Sequence, residues 1–160
     1  MNIKQLFIII ACIIFNLITG NLTLLLMGED TFPIPDKVVN IFLSISIIAC
    51  YFFVFRLIHF KSLNIFLLCI ISIAVWSFTI LISNVFATIF YAVLYLINSV
   101  DTNSSTFEGQ AAVSFIVIFL MFMVKSLSLW VLSIPTGLVN TIWFILHKKS
   151  GKQTITPLSE

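Results

Sequence analysis

The stretch from Ala111 to Leu146 holds 36 residues and a single ionisable side chain, Lys125. An α-helix rises ~1.5 Å per residue, so this stretch would reach ~54 Å, against ~30 Å for the hydrocarbon of a bilayer. One crossing uses only part of it. Counting back from the basic end at His147, Ser126–Leu146 makes ~32 Å. Lys125 then falls near the far membrane surface, and Ala111–Val124 remains beyond it. Asn64–Asn98 repeats the pattern: Asn64–Ser83 fills one crossing and Asn84–Asn98 remains. The two remainders flank the polar segment Ser99–Gln110. Such a chain is a multi-span membrane protein of the all-α class.

Only 9% of the residues are charged and 61% are hydrophobic, whereas a soluble domain carries roughly 25% charged residues. No separate soluble core can be drawn, so residues 1–160 read as one membrane domain. The net charge of +2 is too small to imply a nucleic-acid partner. Lys and Arg favour the cytoplasmic side of a membrane. Lys4, the turn from Arg56 to Lys61 and the tail from His147 to Lys152 are basic; the connections Gly28–Lys37 and Ser99–Gln110 are acidic. Spans near 6–27, 38–58, 64–98 and 111–146, in an up-down bundle, place every basic segment inside. Splitting the two long stretches to give six spans would leave helices of roughly 15–17 residues, short of the ~20 needed. The expectation is four helices with both termini cytoplasmic, in a bacterial inner membrane, the third and fourth extended on the outer side.

Along the chain, Met1–Gln5 reads as a short head. In the first span, Cys12, Asn16, Thr19, Gly20 and Thr23 fall on one helical face, a pattern used for close helix packing. Ile9-Ile10-Ala11-Cys12 matches a lipoprotein cleavage box, but the apolar run continues past it, and Ile47-Ile48-Ala49-Cys50 repeats the same letters inside the second span. Cys12, Cys50 and Cys69 read as apolar packing residues. Pro33 and Pro35 make Gly28–Lys37 an extended surface loop. His59 reads as an interfacial residue of a basic turn. Asn103-Ser104-Ser105 fits a glycosylation sequon that has meaning only in a eukaryotic host. In the last span Pro135 predicts a kink, with Pro135 and Gly137 as a candidate hinge.

No span carries Asp or Glu, and no catalytic, cofactor or metal motif is present. The chemistry therefore points to binding. Asn84, Thr88, Tyr91, Tyr95 and Asn98 recur at helical spacing as a thin polar seam on an otherwise apolar helix. With Phe115, Ile116, Phe119, Leu120, Phe122 and Lys125 they form a candidate surface for a membrane-protein partner or a second copy of the chain. The alternative reading of the remainders is steep tilt within the lipid. A competing function is a channel or transporter component, with Lys125, Ser128 and the Pro135 kink along the pathway. An enzyme acting on a hydrophobic substrate is a third. No motif assigns the chain to a family. In length, span number and cytoplasmic ends it resembles the four-span immunity proteins that protect bacteria against pore-forming colicins. That resemblance, of architecture alone, implies recognition of a toxin helix within the membrane without catalytic residues.

Overall fold

The computed structural model describes residues 3–27, 36–58, 60–99 and 107–151. They form helices α1 (Ile3–Met27), α2 (Asp36–Leu57), α3 (Ile65–Ser99), α4 (Phe107–Lys125), α5 (Leu127–Val131) and α6 (Ser133–Ser150), with a 3-10 turn at Phe60–Ser62. No strand occurs among the described residues. The segments read as the Gly28–Lys37 loop, the Asn103 sequon and the end of the tail lie wholly or largely outside them, as does His59. Helix α1 starts at Ile3, so Lys4 and Gln5 belong to its first turn and not to a separate head. Helix α6 runs on through His147 to Ser150, beyond the apolar residues that end at Leu146.

Among the described residues, three helices are long and apolar enough to cross a membrane, over Ile3–Leu25, Lys37–Leu57 and Ile65–Leu94. Their outer faces carry exposed Ile14, Ile18, Ile45, Phe53, Phe66 and Phe78, while Asn16, Ser72, Thr79, Asn84, Thr88 and Asn140 are buried. An apolar outside around a polar-studded inside is the reverse of a water-soluble bundle, and it fits hydrocarbon as the solvent. This is an integral membrane protein.

Helix α3 begins where the Asn64 side-chain oxygen accepts the Leu67 N–H at 2.8 Å, satisfying one donor that the first turn leaves open. It packs against α2, α4 and α6, and α1 packs against α2 and α6. The direction of the last stretch against α3 can be read from four hydrogen bonds. Lys148 Nζ donates to the Leu63 carbonyl, Ser72 Oγ to Gly137 O, Trp76 Nε1 to Leu129 O and Asn84 Nδ2 to Ser126 Oγ. As numbering rises in α3 it falls in the partner, so the two run antiparallel.

The last stretch is broken twice, at Ser126 and at Leu132, where ψ is 5° and 0° in place of a helical value. Pro135 lies in the first turn of α6. It has no N–H for the Val131 carbonyl, and its ring crowds that group, so the chain turns just before it. The break at Ser126 has no proline. There the Ser126 hydroxyl donates to the Met123 carbonyl three residues back while it accepts from Asn84. Such back-bonding bends helices.

Gly137 marks the closest approach of α6 to α3. A Cβ placed there would lie 2.5 Å from Ile73 Cγ1 and 2.8 Å from Ile73 Cα. Its carbonyl accepts hydroxyls from both Ser72 at 2.7 Å and Thr141 at 2.9 Å. A Cβ at Gly20 would instead meet the side-chain tips Leu43 Cδ2 at 3.0 Å and Ile47 Cδ1 at 3.3 Å, which can move. Gly137→Ala should therefore destabilise the protein by ~1–3 kcal/mol, as overpacking does, and Gly20→Ala by less. Unfolding of the purified variants in detergent measures both; equal losses would contradict the assignment of Gly137 as the tight crossing.

Candidate functional site

The buried polar groups form two separate knots. The first joins α1, α2 and α6. Asn16 and Asn140 exchange amide hydrogen bonds, Asn16 Nδ2 to Asn140 Oδ1 at 2.9 Å and Asn140 Nδ2 to Asn16 Oδ1 at 2.8 Å. Asn140 Nδ2 also donates to the Tyr51 hydroxyl at 2.6 Å, and Asn16 Nδ2 to the Cys12 carbonyl at 2.7 Å. The Cys12 thiol lies 3.9 Å from Asn140 Oδ1. Cys12, Asn16, Tyr51 and Asn140 all have 0% exposure. Each amide thus uses both its donor and its acceptor capacity inside the chain.

The second knot joins α3 to the α4–α5 break. Asn84 Nδ2 donates to Ser126 Oγ at 2.7 Å and approaches Met123 Sδ at 3.2 Å. Thr88 Oγ1 turns back on the Asn84 carbonyl at 2.7 Å. The Tyr91 ring meets Phe122 edge-on, with centroids 6.2 Å apart. The part of the seam from Asn84 to Tyr91 thus faces α4 and the break that follows it. Asn84, Thr88 and Phe122 are buried in the protein's own core, Tyr91, Phe119 and Lys125 are half-buried, and Phe115 is exposed. The Tyr95 side chain lies outside the described residues. Ile89 and Val93 of α3 and Phe115, Ile116 and Leu120 of α4 are exposed and apolar, while the partly exposed Phe90 sets its ring against Phe42 of α2, with centroids 5.4 Å apart. Of the candidate hinge, Pro135 is exposed beside the Leu132 break and Gly137 is packed on Ile73.

A third cluster lies at the opposite end of α3. The start of α1, the end of α2, the 3-10 turn and the end of α6 meet around His147. Its ring contacts Phe55 and Phe60, with centroids 5.0 and 5.3 Å away, and its Nδ1 is buried without a partner among the described residues. Phe144 completes the aromatic group at 5.2 Å from Phe55 and 5.0 Å from Phe60. Burial holds the His147 pKa below its ordinary 6.5. Arg56 and Lys148 line the adjoining surface.

No group of three or more His, Cys, Asp or Glu placed to hold a metal ion occurs among the described residues. Comparison with protein-family models, with curated proteins and with solved structures gives no match to this chain.

Spacing shows Asn16 and its helical face in the sequence, but not its partners Asn140 and Tyr51 on other helices. A lone amide inside an apolar span was the available signal, because it needs a partner on another helix. Ser126, which nothing in its local sequence distinguishes, carries the bond to Asn84, whereas the Ser128 hydroxyl is buried without a partner among the described residues.

Asn140→Leu should remove the partner of Asn16 and leave a buried amide unsatisfied, a loss of ~1–3 kcal/mol. Removing both amides with Asn16→Leu and Asn140→Leu together should then cost less than the sum of the single changes. Detergent unfolding of the four proteins in this cycle tests the pairing, and simple additivity would contradict it.

His147 sets an acid dependence. Well above pH 6.5 the imidazole is neutral in folded and unfolded chains and contributes nothing to the pH dependence. As pH falls below 6.5 the unfolded chain takes up the proton first, so stability drops until the folded imidazole titrates as well. Melting temperature in detergent should fall from pH 7 toward pH 5. His147→Phe should fall less steeply, the difference isolating this residue from His59.

Proposed function

We propose that the protein acts without catalysis, by helix recognition of a membrane-protein partner, through the hairpin of α3 and α4. The observation that carries this reading is the mismatch between that hairpin and a bilayer. The apolar part of α3, Ile65–Leu94, has 30 residues and reaches ~45 Å, about half as long again as the hydrocarbon is thick. Beside it α4 presents Phe115, Ile116 and Leu120. Apolar residues carried beyond the hydrocarbon have no lipid to cover them, which supports a docking role for this part of the hairpin. The polar side chains of the interior support a scaffold role, since within each knot they bond to one another and to the backbone. In this reading the last stretch is a fourth span. The helices run up and down, both termini face the cytoplasm of a bacterial inner membrane, and the partner is of the kind met by immunity proteins, a pore-forming protein inserted beside the hairpin.

A second reading is favoured by one specific feature. At the broken segment, Lys125 is half-buried, and Ser128 Oγ and Trp130 Nε1 are buried without partners among the described residues. Intramembrane charges mark ion routes by default, and unsatisfied buried groups call for water or ligand. A channel component would use this place, and Lys125→Glu would then alter ion preference in liposome flux.

Reporter fusions after Lys61 and after Lys152 should read cytoplasmic, and those near Asp36 and Ser104 external; a cytoplasmic reading at Ser104 ends the four-span scheme. For recognition, photoreactive residues at Ile89, Phe115 and Ile116 should give discrete protein crosslinks in native membranes. The same probe at Phe53 or Phe66, exposed on other faces, should give only diffuse lipid products. Equal behaviour at all five positions would defeat the hairpin as the recognition surface.

A further inference from the structure

Two adjoining clefts open at the basic end of the molecule and share Gln5, Arg56 and His147. The smaller, about 240 Å3, adds Phe60 and the Lys148 side chain. The larger, about 440 Å3, adds Ile9, Phe52 and Phe55 and runs along the contact of α1 with α2. One part is therefore cationic and hydrogen-bonding, and the other is apolar. Lys148 gives one of its three donors to the Leu63 carbonyl, which fixes the ammonium at the cleft and leaves two donors for a ligand. Arg56 is exposed, with a planar fork suited to phosphate oxygens. No carboxylate side chain among the described residues stands at this end. In the sequence, Glu29, Asp30 and Asp36 belong to the first connection, Asp101 and Glu108 to the third, and Glu160 is terminal.

We propose that this double cleft binds one anionic phospholipid. Its headgroup phosphate would sit between Arg56 and Lys148, with His147 in the wall, and the first carbons of an acyl chain would lie along Ile9, Phe52 and Phe55. The charge alone would suit any phosphate. The apolar cleft continuous with it selects an amphiphile over a free anion, because Phe52 would otherwise stand beside the headgroups without cover. The site is independent of the α3–α4 hairpin and of the partner proposed there. Burial beneath Phe55 and Phe60 keeps the imidazole neutral near pH 7, so the two fixed cations Arg56 and Lys148 supply the attraction, with Lys4 and Lys149 on the surrounding surface.

Native mass spectrometry of the full-length protein, released from detergent with equal amounts of phosphatidylglycerol and phosphatidylcholine of the same chains, tests the proposal. A single phosphatidylglycerol should be retained in preference. Phosphatidylglycerol should also raise the melting temperature, while inorganic phosphate at the same concentration should not. Arg56→Gln should lower the retained fraction roughly tenfold, in line with loss of a charge-assisted hydrogen bond. Lys148→Gln should do the same. Lys149→Gln removes an equal charge from the same end but outside the clefts, and should leave retention within about twofold, since exposed pairs contribute little. Arg56 is exposed, so its variant tests the site even where loss of the Lys148–Leu63 contact unsettles the fold. Equal retention of phosphatidylcholine, or a Lys149 effect as large as that of Arg56, overturns the site. Stabilisation by inorganic phosphate alone overturns the lipid and leaves a free-anion site.

Discussion

The reciprocal amide pair of Asn16 and Asn140 is the contact on which the arrangement of helices turns. In an apolar surrounding, helices gain little by sliding from one apolar contact to another, because lipid and leucine are alike to them. A buried amide changes that balance. Its hydrogen bond contributes only about 0.6 kcal/mol on average between membrane helices, but leaving it unsatisfied costs about 1–3 kcal/mol. The asymmetry penalises wrong registers more than it rewards the right one. Asn140 meets both Asn16 and Tyr51, so a single side chain sets α6 against α1 and α2 at once.

The other side of α6 is fixed by shape. Gly137 lets the α6 backbone come down on Ile73, and the Ser72 hydroxyl holds the crossing. From there toward α4 the last stretch must follow α3, which is one uninterrupted helix from Ile65 to Ser99. It does so by turning at Leu132 and Ser126. Each turn is met from α3 by a donor: Trp76 Nε1 reaches the Leu129 carbonyl and Asn84 Nδ2 the Ser126 hydroxyl. Backbone irregularity inside a membrane is tolerated where neighbouring side chains satisfy it. The breaks and their α3 partners form one device.

The two ends of the molecule are chemically opposite. At one, aromatic rings enclose His147 among cations. At the other, α3 and α4 present an apolar face longer than a crossing requires. The first is suited to the charged surface of a membrane and the second to another apolar surface. The polar interior between them ties helix to helix. The proposed recognition role rests on that division.

Much of this was legible from the chain. Long runs almost without charge dictate helices, because hydrocarbon tolerates no unpaired backbone group. The Cys12, Asn16 and Gly20 face declares itself by spacing alone, since i and i+4 positions share a face whatever the fold. Pro135 announced a turn for a covalent reason. What spacing cannot tell is which side of an apolar helix meets protein and which meets lipid, because in this solvent both sides read as hydrophobic. Spacing puts Asn84, Thr88 and Tyr91 on one face of a helix, yet only packing decided that α4 covers that face. Ser126 acquires its role from Asn84, a residue 42 positions away, and Gly137 from Ile73. The sequence by itself determined that the chain is helical, membrane-bound and basic at one end, since those follow from solvent, length and charge. The tertiary structure decided which polar groups pair, where the last stretch breaks and which face remains open, because each depends on contacts between residues far apart in the chain.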